Sequence, residues 1–286
     1  MTSNAFLDGL HKLAARVTGE GVKDGEGAGD GQQPRSARLV LTENELARRI
    51  ALAREDHPEE EHGKPPLARL VGEFDFLAEP FRRMVRTIPV EPCDRPRTVM
   101  ILPGFATQPR RMRYMARHLE RAGHTAKRWG LGFNWGPDEA KFERLEARLL
   151  DLYERAGEPV VLLGWSLGGL FARELAKRHP HAVCKVITMG SPFSGSPRAN
   201  NMWRVYQFIT GHRVDQPPID VDLRTKPPCE TVAIWSPNDG AIAPRSAAGY
   251  PGERDRAIAL RCTHMGYTYA PEAIRTVLAE LRRIPD

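Results

Sequence analysis

Residues 160–179, VVLLGWSLGGLFARELAKRH, constrain the chain more than any other stretch. An unbroken apolar run leads into Gly164-Trp165-Ser166-Leu167-Gly168 and out again as a helical pattern. Runs of that kind read as strands buried on both faces, the condition of a parallel sheet covered by helices. The pattern recurs from Arg97 onward. Thr98 to Leu102, Pro159 to Leu163, Val183 to Met189, Thr231 to Trp235 and Ala257 to Cys262 read as strands, with His124 to Arg128 a weaker one. Amphipathic helices are expected between them at 109–122, 138–156, 167–179 and 271–284. In the second of these, Phe142, Leu145, Leu149 and Leu152 recur at spacings of three and four, with Asp138 before it and Gly157 after it. The expected class is α/β, a mostly parallel sheet of about six strands with helices on both faces.

The first 96 residues follow a different pattern. Residues 1–36, which include GEGVKDGEGAGDGQQPRS, are expected to be a flexible tail and linker, because they offer almost nothing to bury. Residues 37–96 read as an N-terminal helical extension. Thr42 and Glu45 fit a capping box, Leu46 and Ile50 supply an inward face, and residues 67–88 carry a helical pattern with Phe74, Leu77, Phe81 and Val85 inward. His57 and His62, beside Glu59 to Glu61, read as a solvated loop rather than a metal site. Residues 97–286 are expected to form the catalytic domain.

The net charge of +6 comes from 42 basic and 36 acidic residues spread over all 286 positions, which argues against a nucleic-acid partner. Arg110, Arg113, Arg117 and Arg121 share one helix face and read as its solvated back, opposite Met112, Met115, Leu119 and Ala122. Cys93, Cys184, Cys229 and Cys262 lie far apart and read as reduced thiols. Asp8 and His11 interrupt any apolar leader, and no stretch is long enough for a membrane span. A soluble, cytoplasmic protein is expected, with no integral membrane contact.

A serine on the tight turn between a buried strand and a helix suits a nucleophile, and Gly164 and Gly168 leave room for strand and helix to pass closely. A serine hydroxyl needs a histidine to take its proton and a carboxylate to orient that histidine. In an open α/β sheet both belong on loops after later strands. Asp239, in Ser-Pro-Asn-Asp-Gly after one strand, and His264, in Thr-His-Met-Gly after the next, meet that condition. His212 is the rival base; His118, His179 and His181 lie in or at the end of helices. Asp215, Asp220, Asp222 and Asp255 lack a preceding buried strand. Oxyanion donors are expected from the N–H groups of Leu167 and of Phe105, in the loop Leu102-Pro103-Gly104-Phe105.

These segments together resemble the α/β-hydrolase superfamily, and within it the bacterial lipase and esterase branch. The resemblance covers residues 97–284 and rests on GWSLGG at 164–169, SPNDG at 236–240, THMGY at 263–267 and TMGSPFSGS at 188–196. Two positions depart from it: the usual His-Gly of the oxyanion loop is Pro103-Gly104, and the histidine of the lipase stretch is Phe193. The resemblance implies the α/β-hydrolase fold, with residues 194–228 inserted as a short helical cap. Trp203, Tyr206 and Phe208 of that cap, together with Trp165, are expected to border an acyl pocket, as a roof or as a fixed wall. The expected activity is hydrolysis of a small-molecule carboxylic ester bearing an apolar acyl chain, through an acyl-enzyme on Ser166. No metal or organic cofactor is expected. An acyltransferase, thioesterase or lactonase, or a non-catalytic binding protein, would carry the same features.

Overall fold

A computed structural model describes residues 42–55, 63–219 and 221–284. The expectations for residues 1–36, His57, His62 and Asp220 lie outside them. Two compact units meet in sequence between Ala51 and Leu52. In the first, the amide of Glu45 donates to Thr42 Oγ1 at 3.3 Å, the capping contact that opens helix α1 (Glu43–Arg54).

The second unit is built on a sheet. Its strands are β1 (Thr98–Leu102), β2 (Thr125–Arg128), β3 (Val160–Trp165), β4 (Val183–Met189), β5 (Glu230–Trp235) and β6 (Arg256–Ala259). All pairs are parallel, in the order β2-β1-β3-β4-β5-β6. Alternate residues point to opposite faces. Val99, Ile101, Val161 and Leu163 pack under α4 (Arg113–Arg121) and α8 (Pro271–Arg282). Met100, Leu102, Val160 and Leu162 pack under α5 (Glu139–Ala156) and α6 (Leu167–Arg178). The signals bounding α5 work as read: Asp138 Oδ1 accepts from the Lys141 amide at 2.8 Å, and Gly157 closes the helix at φ 68°. Arg110, Arg113, Arg117 and Arg121 are exposed, and the four cysteines are free thiols.

From β1 the chain moves outward to β2 and then back across to β3, so direction reverses between β1 and β3. In an open parallel sheet that reversal leaves a crevice at the carboxyl ends of the two strands. The loop after β1 and Ser166 after β3 both lie there.

Two expectations need correction. Residues 67–88 form three pieces, α2 (Leu67–Gly72), a 3-10 turn (Glu73–Ala78) and α3 (Glu79–Val85), and their apolar stripe faces outward. Phe74, Leu77, Phe81 and Val85 are 62%, 62%, 74% and 88% exposed. Within Leu67–Val85 the buried residues among those described are Glu73 and Glu79. Glu79 receives Arg83 and Arg86, each at 3.3 Å, and Glu73 receives backbone amides. A helical period identifies a face but not its direction, and these charge-assisted bonds turn the polar face inward. The strand expected to reach Cys262 stops at Ala259, because Arg261 bonds to side chains: its N–H donates to Glu272 Oε1 and its carbonyl accepts from Asn238 Nδ2. Among the described residues no helix is long and apolar enough to cross a membrane.

Between β4 and β5 lies α7 (Trp203–Thr210). It is anchored rather than loose: Gln207 Nε2 donates to Leu52 O at 2.7 Å, Arg204 Nη1 to Ala53 O at 2.6 Å, and Gln207 Oε1 accepts from the Val214 amide.

Candidate active site

Ser166 joins β3 to α6 with φ 54° and ψ −124°, a conformation that costs a non-glycine residue energy and persists only where packing enforces it. The enforcement is visible at its neighbours. A Cβ on Gly164 would lie 2.4 Å from the backbone of Gly168 and Gly169, and one on Gly168 would lie 2.3 Å from Leu102 O. The Ser166 amide donates to Met189 O at 2.8 Å, fixing the turn against the end of β4.

The next residue of β4's exit, Gly190, touches the other two candidates. A Cβ there would sit 3.0 Å from both Asp239 Oδ2 and His264 Nδ1. Those two atoms are 2.8 Å apart, in a pair where Asp239 is fully buried and His264 nearly so. Asp239 Oδ1 accepts from the amides of Ala241 and Ile242 at 2.9 and 2.8 Å, which aims Oδ2 at the ring. Beside a carboxylate, Nδ1 carries the proton, leaving Nε2 as the acceptor nitrogen. Burial alone would depress the imidazolium; the charge and hydrogen bond of Asp239, with the charge of Glu73, outweigh it and hold His264 above its ordinary value.

The loop after β1 lies against the serine: a Cβ on Gly104 would be 3.2 Å from Ser166 Cβ. Ala106 adopts φ 53°, and Asn134, fully buried, holds the loop there. Its Nδ2 donates to Pro103 O at 2.8 Å and its carbonyl accepts from the Ala106 amide at 2.8 Å. Among the described residues no acceptor meets the N–H of Phe105 or of Leu167.

A cleft of about 850 Å³, counting its open mouth, ends at Ser166 and Leu167. Phe105, Leu170, Met202, Trp203, Tyr206 and Ile219 supply much of its wall, and Glu174 is the charged residue on it. Glu174 is neutralised by Lys177 at 2.6 Å and Arg178 at 2.8 Å. Tyr206 of α7 meets Phe105 ring to ring at 5.1 Å, so α7 lies against the loop after β1. Trp203 and Tyr206 line the cleft; Trp165 and Phe208 do not. Trp165 is turned into the core on the opposite face, its Nε1 donating to His264 O at 3.0 Å, because alternation along β3 sends it away from the cleft. Phe208 is buried elsewhere, two residues along the helix from Tyr206 and so on another face.

The other histidines are held in different company. His212 packs edge-on against Tyr206, His118 Nδ1 meets Tyr114 O at 2.8 Å, His179 Nε2 lies 3.2 Å from Glu146, and His181 packs against Tyr153. Among the described residues no three His, Cys, Asp or Glu side chains group closely enough to hold a metal ion.

A family model described as the α/β hydrolase fold matches residues 149–214, the span from late α5 through the elbow and α7. The solved structure of the metagenome-derived lipolytic enzymes LipS and LipT superposes with a TM-score of 0.50 at 17% identity, covering 68% of this chain and 96% of that one. The chain has the α/β-hydrolase fold. Two curated relatives are both pimeloyl-[acyl-carrier protein] methyl ester esterases. That of Aromatoleum aromaticum is 41% identical over 56 residues, 20% of this chain and 22% of the relative. That of Aliivibrio salmonicida is 32% identical over 118 residues, 40% of this chain and 42% of the relative. The matches thus span less than half the length of these relatives.

Three residues around the site escape sequence reasoning. Asn134 sits in the apolar-looking stretch Gly132-Phe133-Asn134-Trp135, where one polar residue among aromatics was the available signal. Arg173, on α6, is buried with its Nη2 on the carbonyls of Leu223, Thr225 and Glu253 and its guanidinium 4.1 Å from the Phe193 ring. Burial lowers it to about 10. It joins the return of the cap to the helix behind the serine. Glu73 lies in the extension, with no local mark.

Proposed function

We propose that the chain is a serine hydrolase of carboxylic esters. Ser166 Oγ attacks the ester carbonyl while its proton passes to His264 Nε2. The developing oxyanion is taken by the N–H groups of Phe105 and Leu167, the latter at the positive end of α6. Collapse breaks the acyl–oxygen bond, and the imidazolium returns its proton to the leaving alcohol. Water repeats the cycle on the acyl-enzyme, restoring Ser166 and releasing the acid. Asp239 keeps the ring oriented and balances its charge.

The observation that carries this reading is the strained Ser166 at the sheet's switch point, its amide bonded to Met189 O, while the next residue of the chain, Gly190, lies against the Asp239–His264 pair. The methyl ester esterase names of the curated relatives point to the same bond class. The apolar cleft fits an acyl chain better than a charged one.

A fluorophosphonate that labels the native chain and spares Ser166→Ala, together with aryl ester turnover lost in that variant, is the expected result. Absence of labelling in the native chain would sink the proposal in favour of a silent binding protein. A panel of esters, thioesters and lactones, with and without an alcohol acceptor, identifies which acyl donor and acceptor the cleft prefers.

A further inference from the structure

Glu73 is far from the cleft in sequence yet buried between the two turns that carry the acid and the base. Its Oε1 accepts from the amides of Gly240 at 2.8 Å and His264 at 2.7 Å, and its Oε2 from Met265 at 2.8 Å. Gly240 follows Asp239 directly, and His264 and Met265 open the 3-10 turn Met265–Thr268. One carboxylate thus spans both turns, with bonds reaching across 167 and 191 residues. The approach is tight: a Cβ on Gly240 would lie 2.5 Å from Arg69 O in α2, so the helix backbone rests on the acid turn itself.

We infer that Glu73 is a positioning residue for the proposed reaction, locking the acid turn and the histidine turn to each other so that the Asp239–His264 pair keeps its alignment. The inference rests on the serine-hydrolase reading and assigns the N-terminal extension a part in it. An amide–carboxylate bond is charge-assisted and short, and three on one buried group define a geometry that backbone stiffness in two separate loops would not. Glu73 touches no reacting atom. Its action runs through the backbone of residues 240, 264 and 265, and through its charge, which favours the imidazolium form of His264.

Around the imidazole, the groups that bear on its titration are Asp239 from the acid turn, Glu73 from the extension, and Cys262 and Tyr267 from the histidine's own segment, both pushed up by burial and therefore neutral. Trp165 adds an uncharged indole. Removing the Glu73 charge therefore leaves Asp239 alone to raise His264, and the acid limb of the rate profile moves to lower pH.

The test compares the full chain with Glu73→Gln and Glu79→Gln on an aryl ester across pH, with thermal melts. Gln offers one acceptor oxygen where Glu offers two and turns an N–H₂ toward one of the three amides. Expected for Glu73→Gln is a fall in kcat of roughly 10- to 100-fold with KM little changed, and an acid limb displaced to lower pH. Glu79→Gln, which disturbs a neighbouring buried glutamate bonded to arginines, lowers the melting temperature and leaves the limb in place. Glu73→Asp retains the charge with one methylene less reach, so kcat falls while the limb stays near wild type; it also serves where Glu73→Gln does not fold. A Glu73→Gln enzyme with unchanged kcat and limb, or a Glu73→Asp enzyme with wild-type kcat, overturns the positioning role while the native chain remains active. A native chain that neither labels nor hydrolyses overturns both readings.

Discussion

The indole Nε1 of Trp165 donates to the backbone oxygen of His264 at 3.0 Å, and the two rings lie 5.6 Å apart. The residue before the candidate nucleophile is therefore bonded to the candidate base across 99 positions of chain. With Met189 O on the Ser166 amide and Glu73 on the His264 amide, the serine turn and the histidine turn are each pinned through backbone rather than through the side chains of Ser166 and His264.

Trp165→Phe removes that donor and leaves the His264 carbonyl without it. A loss of about 1–3 kcal/mol in stability is expected from an unmade buried hydrogen bond, before any cost of the smaller ring. Urea unfolding measures it; a variant as stable as the native chain would show the bond to be dispensable.

The pH dependence follows from His264. In the proposed reaction a neutral imidazole takes the serine proton, so activity is expected to fall as pH drops through a value held above the ordinary 6.5. Asp239→Asn removes the largest of the raising influences. Its acid limb moves to lower pH, and kcat falls by roughly three to four orders of magnitude as ring orientation is lost. The same shift bears on stability. Because the folded value lies above the unfolded one, the pair's contribution is complete below the unfolded value and lost as pH rises through the folded one. Asp239→Asn should flatten that part of the stability profile, read by denaturation at pH values on either side of the His264 titration.

Asn134→Ala deletes the side-chain bonds to Pro103 O and to the Gly136 amide while leaving the Ala106 contact to the backbone. The loop bearing Phe105 loses part of its support. A fall in kcat of about tenfold or more is expected from a displaced oxyanion donor, with smaller change in KM. Equal losses in both parameters for poor and good leaving groups would argue against Phe105 as a donor.

Phe81→Ser lies on the outward stripe of the extension and should change stability by about 0.5 kcal/mol or less. Phe142→Ala, in the core between α5 and α6, should cost about 3–5 kcal/mol. Melts of the two variants separate an outward stripe from an inward one; a cost at Phe81 comparable to that at Phe142 would reverse the assignment of faces.

Much of the fold was legible locally. The strand at Val183–Met189, the limits of α5 at Asp138 and Gly157, and the turn at Ser166 each declare themselves within a dozen residues, because alternation, capping and turn strain are short-range properties of the chain. The placement of Asp239 and His264 was legible for the same reason, each standing just past a buried run. The face of residues 67–85 was not, since a helical period is the same whether its apolar side meets a core or water. Nor were Glu73, Asn134 or the inward turn of Trp165. Asn134 reaches Pro103 across 31 residues, Trp165 reaches His264 across 99 and Glu73 reaches Met265 across 192, and contacts of that separation leave no trace in local spacing. The amino-acid sequence thus determined the sheet and the order in which Ser166, Asp239 and His264 follow its strands, whereas tertiary packing decided which buried polar groups hold those three residues in place.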